Sequence, residues 1–405
     1  MLNTVRVYPA VATLNLILSE GVITDAVRTT GAEGDGETTP AGVGIWPAAT
    51  NLLANKCNAN STTGLSARSG SETLTPTADS DSFGGYYIEV SCPGSGANEG
   101  VEQTAAFTAG QAYTSSAWLS GSGTCRIYIS DGVGQTSSDL ITLTATPTCY
   151  SFSRTLDGSA SQLLSRILTE GTQSATINVN AWQTELGSIA TPFTTGTRSA
   201  GRVQQPVSGL FTATQGWVAA RVATGWANGG SPGNPRVFEW ADDTSNYISL
   251  IYNTASNLWQ TLRVATTGNA ANVSGGTFSA NTSVTTVGAW YTAGVKTSID
   301  GSAFTVQAVA EIPTLAATTL DIGSFSTGDQ LAGRVLWYAT GSGTLTDADA
   351  ATLNAFGDTP PTATQLATLL NYNAQPTLVW DAVTAASNQI TPILAQNTRS
   401  YRQMR

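Results

Sequence analysis

Side-chain catalysis draws on a short inventory of groups, and this chain lacks most of it. It contains no histidine, which removes Ser-His-Asp and Cys-His nucleophilic catalysis, imidazole proton shuttling and His-containing zinc sites. Lys56 and Lys296 are the only lysines, so phosphate cradling by a loop lysine and Schiff-base chemistry have almost nothing to work with. Paired carboxylates remain. Glycoside hydrolysis needs two of them, about 5–9.5 Å apart depending on mechanism. The nearest string is Glu239-Trp240-Ala241-Asp242-Asp243, where strand alternation puts Glu239 and Asp243 on one face but at a strand end. The expectation is a chain that is not an enzyme.

The same stretch offers oxygen ligands. Asp242, Asp243 and Asn246, with Asp321 as a further acid, form a candidate calcium loop, since calcium takes carboxylate, amide and carbonyl oxygens. An ordinary solvated turn has the same composition, and no other cofactor is expected. Sugar binding asks instead for an exposed aromatic ring against the apolar face of a pyranose, with polar neighbours. Trp226 lies in a Gly- and Asn-rich loop and Trp259 follows a turn at 254–257, so these two, with Tyr252, are the candidate glycan platform. Trp118, Trp182, Trp217, Trp290 and Trp337 lie in strand-like runs and are expected in the core.

The elements that must position these residues read as β throughout. The chain has 405 residues, enough for two or three domains. Charged residues are 11 % of it, Gly numbers 41, and Ser plus Thr make up about a quarter. Ten Trp, twelve Tyr and ten Phe exclude a disordered polar tract. A net charge of −10 argues against nucleic acid or an anionic membrane as partner. No run approaches the ~18 apolar residues of a membrane span, and Val5 to Leu18 reads as one or two strands rather than a leader. Cys57, Cys92, Cys125 and Cys149 show no C-x-x-C spacing. Three pairings are open to them, and small buried apolar residues are the simpler reading.

Along the chain, residues 1–47 form an arm with strand-like alternation and an acidic, Gly-rich loop at 33–37. Val5, Val7, Leu14 and Leu16 are its candidate assembly residues, suited to β-augmentation or oligomer contact. Residues 48–197 carry short runs of β-formers punctuated by Gly, Asp, Ser and Pro, the spacing of a sandwich or barrel. A polar linker at 198–206 leads into a second β-domain at 207–345. Helix signals come only in the tail at 346–405. There Thr346 caps a helix over Asp347 to Phe356 that Gly357 stops, and a second helix is expected over 364–371.

Two local patterns add a family resemblance. Asn51-Leu52-Leu53-Ala54-Asn55 at the start and Ala181-Trp182-Gln183-Thr184-Glu185-Leu186-Gly187-Ser188-Ile189-Ala190-Thr191-Pro192-Phe193 at the end resemble carbohydrate-binding-module-like jelly rolls of bacteriophage structural proteins. That family often carries acids where Cys57-Asn58 and Asn180 stand here, and both departures weigh against its structural calcium ion. Trp217 to Val222, Phe238 to Asp243, Leu320 to Ser324 and Leu331 to Val335 followed by Leu345-Thr346-Asp347 resemble concanavalin A-like (laminin-G-like) lectin and glucanase sandwiches. The resemblance implies an all-β chain of two tandem jelly-roll sandwiches with an extended arm and a short helical tail. It implies a structural protein on the exterior of a tailed phage particle, as capsid decoration, head fibre or tail fibre. Its expected partners are other virion proteins, copies of itself and a host-surface glycan, with no nucleic acid and no membrane insertion. A receptor-binding tail-tip adhesin, or modules of a secreted bacterial glycan-active protein, are the alternatives.

Overall fold

The computed structural model describes residues 42–359 apart from 81, 208–210, 232, 266–267, 309–310 and 326–328, together with residue 361 and the backbone of short paired strands nearer the two ends. The described residues are all-β, with two sandwich domains and one short α-helix. The expected second helix at 364–371 and the acidic loop at 33–37 lie outside the described residues.

The first domain packs two antiparallel sheets. One has five strands, in the order Thr148–Thr155, Ala112–Ser122, Ala175–Leu186, Tyr86–Cys92 and Thr73–Ala78. The other is built round Thr124–Ser130, Leu164–Leu168 and Gly100–Thr104. Alternation along each strand supplies the core: Ala117, Leu119, Ile88, Val90, Ile127, Ile167, Ile177 and Val179 are all at most 1 % exposed, because residues at i and i+2 share a face. Cys57, Cys92 and Cys125 are buried among them, and none of the four cysteines is joined in a disulfide. Burial pushes the Cys92 and Cys125 thiols up to about 12, so neither is poised to react.

The second sandwich is larger and corrects the expected organisation. Its seven-stranded sheet ends in Arg202–Pro206 and Val22–Thr24, and its eight-stranded sheet in Gly42–Ile45 and Val27–Thr29. Three strands of the supposed free arm are thus structural strands of this domain. The supposed linker contributes another, with Val203 fully buried between Ile322 and Ile23 in register. Ile45 and Trp46 sit in the second core. The first sandwich is therefore inserted between two strands of the second. Its entry and exit run side by side as the pair Ala49–Thr50 with Thr197–Arg198, held by bonds from Gly201 N to Trp46 O and from Arg198 Nη2 to Pro47 O. Val5–Val7, with the expected assembly residues Val5 and Val7, pairs with Thr13–Leu16, which pairs in turn with Asp381–Val383. The side chains of Val5, Val7, Leu14 and Leu16 lie outside the described residues.

The helix Asp347–Ala355 begins as expected. Thr346 accepts from Asp349 N while Asp349 accepts from Thr346 N, a capping box. Leu353 and Ala350 face the core, and Gly357, at φ 55°, turns the chain out.

Candidate functional site

The outward face of the five-stranded sheet carries the candidate site. In the strand Ala112–Ser122, Ala117 and Leu119 point into the core, so Ser116, Trp118 and Ser120 share the opposite face. Register places Asn180 beside Trp118 and Asn178 beside Ser120. A three-residue 3-10 turn at Phe83–Gly85 enters Tyr86–Cys92 and brings Phe83 and Tyr87 to the same place. Together with Asp79, Ser82, Ala145 and Pro147, these residues line a cavity of about 710 Å³, within the size range of sites for small organic ligands. Trp118 and Phe83 meet at 5.9 Å between centroids with planes inclined at 54°, and Phe193 continues from Phe83 at 5.5 Å. Aromatic faces next to serine hydroxyls and asparagine amides are what a sugar ring needs, with apolar C–H groups on one side and hydroxyls on its edge.

A bulge makes this face possible. Without it, Asn180 and Trp182 would point the same way. The register shifts between Ser116 and Trp118, opposite Ala181 at φ 48°, which inserts one residue and sends Trp182 into the core, fully buried, while Asn180 stays at the cleft. Asn180 Nδ2 then donates to the carbonyls of Cys57, Phe83 and Tyr86 at 3.1, 3.2 and 2.6 Å, and its Oδ1 accepts from Phe83 N at 3.1 Å. Three converging carbonyls would suit a cation, but here the amide N–H groups are the positive partner. Asn180 serves instead to hold Phe83 and Tyr86 in place.

The start and end motifs of the domain are its lock. Asn51 Nδ2 donates to Trp182 O and Thr194 O, while its Oδ1 accepts from Leu53 N and Thr184 N. Glu185, 1 % exposed, takes the N–H and hydroxyl of Thr191 at 2.7 Å each and an N–H of Gln183 at 2.8 Å. Burial nevertheless raises its pKa. Trp182 Nε1 donates to Ser115 Oγ, itself bonded to Ser165 across the core. These residues tie the two chain ends together beside the cleft and none of them lines it.

The expected platform is elsewhere and is not a platform. Trp226, Tyr252 and Trp259 are 3 %, 0 % and 0 % exposed. Trp226 lies 4.6 Å from Tyr252 and 6.2 Å from Trp259, and Phe278 packs on all three. Burying such rings stabilises by roughly 1.5–3 kcal/mol each, so a loop rich in glycine closed over them instead of displaying them. Four of the five strand tryptophans are core as expected, and Trp118 is the exception. Sequence parity could have found it: Ser116, Trp118, Ser120 and Ser122 alternate with the apolar Ala117 and Leu119.

The candidate calcium loop does not gather either. Asp242 accepts from Ala316 N and Ala317 N, and Asp243 accepts from Ser245 N, so both carboxylates secure backbone. Asn246 pairs in register with Asp243 across the turn. Among the described residues no group of three His, Cys, Asp or Glu is placed to hold a metal. Glu239 and Asp243 are not the carboxylates that meet. Asp321, opposite Glu239 on the neighbouring strand, is its acidic neighbour. Both are buried, at 3 % and 7 %. Burial pushes Glu239 up to about 7, Arg236 and Ser249 oppose the rise, and Asp321 adds to it. Arg236 is bonded to Glu239 and Asp329 and flanked by the rings of Tyr247 and Phe325 at 5.7 and 4.9 Å.

No protein-family model and no curated protein matches the chain. Partial likenesses exist among solved structures. The enzymatically active domain of tailspike protein 4 of bacteriophage CBA120 is 17 % identical, over 34 % of this chain and 21 % of that one, with a TM-score of 0.28. The CBM22-1 xylan-binding domain of Paenibacillus barcinonensis Xyn10C is 15 % identical over 34 % and 92 %, with a TM-score of 0.27. Domain 4 of the arabinanase AbnA of Geobacillus stearothermophilus, in complex with arabinotriose, is 13 % identical over 42 % and 81 %, with a TM-score of 0.32. This chain spans about a fifth of the tailspike domain's length. At such scores the likeness carries nothing about ligand or activity, and the cleft stands on its own residues.

Proposed function

We propose that this chain is a non-enzymatic structural and adhesion protein that binds a glycan in the Trp118 cleft of its inserted sandwich. The observation that carries the reading is the cavity itself: Trp118, Phe83 and Tyr87 around serine and asparagine groups on a rigid sheet face. The exterior of a tailed phage particle, as capsid decoration, head fibre or tail fibre, is the setting implied by the motifs at Asn51 and Trp182, with other virion proteins and further copies of the chain as partners. The buried Glu239–Asp321 pair is read as structural, because Glu239 is bonded to Arg236, whose guanidinium is held against two rings. Affinity electrophoresis against immobilised neutral polysaccharides tests the binding step. Retardation of the wild type that is lost in Trp118→Ala is expected, and retardation that survives the substitution removes the cleft from the account. A peptide map of purified particles tests the setting, which fails if the chain is absent from them.

A further inference from the structure

The cleft is aromatic and polar, and its charge is of one sign. Asp79 is the one charged side chain among the described residues lining the cavity. It closes the turn that carries Phe83: Asp79 N donates to Gly85 O, Ser82 N donates to Asp79 O, and Ser82 Oγ donates to the carboxylate at 2.8 Å. Glu89 lies opposite Asn178 in register, on the same sheet face. None of the domain's cations is among the described residues lining the cavity. Arg68 and Arg166 pair with Glu102, Arg126 with Glu170 and Arg154 with Asp131. Lys56 donates to the Ala54 carbonyl and Arg198 to that of Pro47. A carboxylate or sulfate on a sugar would meet acid in a lining that, among the described residues, holds no guanidinium or ammonium, and a like charge in a partly dehydrated cleft is strongly unfavourable.

Resting on the reading of the cleft as a glycan site, we infer that it selects uncharged oligosaccharides and turns away anionic ones, with Asp79 as the residue that sets this preference. Neutral hexopyranose or pentopyranose chains offer ring faces to Trp118 and hydroxyls to Ser82, Ser120 and Asn178 without bringing charge. Uronic acid, sialic acid and sulfated chains offer the same contacts plus an unpaired anion. Because Asp79 acts at a distance through water as well as by contact, the discrimination is also expected to depend on ionic strength.

The test measures affinities of the full chain for gluco-, xylo-, galacto- and mannohexaose, oligogalacturonate and sialyllactose at 20 mM and 500 mM salt. The expected result is that at least one neutral hexaose binds through Trp118, and that both anionic probes bind at least tenfold more weakly at low salt. That gap narrows at high salt and in Asp79→Asn, where the anionic probes gain relative to the neutral ones. Should Asp79→Asn fail to fold, the wild-type salt series alone decides. Anionic probes binding as tightly as neutral ones, with loss in Trp118→Ala, overturn the inference and leave the glycan reading intact. A gap that neither salt nor Asp79→Asn alters also overturns it. Binding of no probe, or binding indifferent to Trp118→Ala, overturns the glycan reading and the inference together.

Discussion

The two sandwiches use aromatic residues and buried acids in opposite ways. The inserted domain leaves Trp118, Phe83 and Tyr87 on an open sheet face. The outer domain seals Trp226, Tyr252, Trp259 and Phe278 into one packed cluster. Glu99 of the inserted domain, fully buried, is surrounded by donors: Gly94 N, Gly96 N, Ser71 Oγ and Ser95 Oγ. Burial alone would raise its pKa, but these donors outweigh it and hold the carboxyl at about 2. Glu239 of the outer domain has Arg236 and Ser249 against it, yet burial with Asp321 nearby leaves it at about 7. The donors around a buried acid and the depth at which it lies together decide whether it keeps its charge.

The contrast breaks first at the aromatic clusters. Trp226→Ala should cost about 3–5 kcal/mol of stability, the range for emptying a packed tryptophan site. A loss below about 1 kcal/mol in chemical denaturation would return Trp226 to the surface. Asn180→Asp sets a carboxylate against three carbonyls and should cost about 3 kcal/mol or more at neutral pH, with a smaller loss at pH 3 where the carboxyl is protonated. An equal loss at both pH values would mean that Asn180 acts by shape rather than by its N–H groups.

Acidification sharpens the comparison further. Glu239, raised from 4.5 to about 7, binds a proton in the folded state that the unfolded chain has lost. Its contribution to stability is therefore full below about pH 4.5 and is lost as pH rises through 7. Glu99, lowered to about 2, works the other way: its contribution is full above pH 4.5 and is lost as pH falls towards 2. Calorimetry across pH 2–8 should show Glu239→Gln flattening the upper limb and Glu99→Gln the lower one. Exchange of those two effects would contradict the donor argument. Trp118→Ala, the mildest change, should cost about 1 kcal/mol, the worth of its ring contact with Phe83.

Much of the fold was legible locally. Period-two alternation gave the strands of both cores, and Thr346 with Asp349 marked the helix start. What escaped was long-range: Gly42–Ile45 and Arg202–Pro206 belong to one domain although about 150 residues separate them, and no local pattern announces a partner so distant. Trp226 misled because a glycine-rich loop reads as exposed, whereas Gly229 N and the Asn228 amide oxygen both bond the Tyr252 hydroxyl and draw the loop onto the rings. Gly225 allows a close approach of its own, since a Cβ there would lie 3.0 Å from the Trp46 ring. At the cleft, Trp118 was recoverable from parity, but Phe83 was not, because it reaches Trp118 through a three-residue turn and the amide of Asn180.

The central claim is that the inserted domain's open face binds sugar while the outer domain's aromatics only hold it together. Isothermal titration of a neutral hexaose into wild type, Trp118→Ala and the conservative core variant Trp226→Phe tests this most directly. The account predicts that binding is abolished in Trp118→Ala and unchanged in Trp226→Phe. Undiminished binding in Trp118→Ala alongside a loss in Trp226→Phe would contradict it.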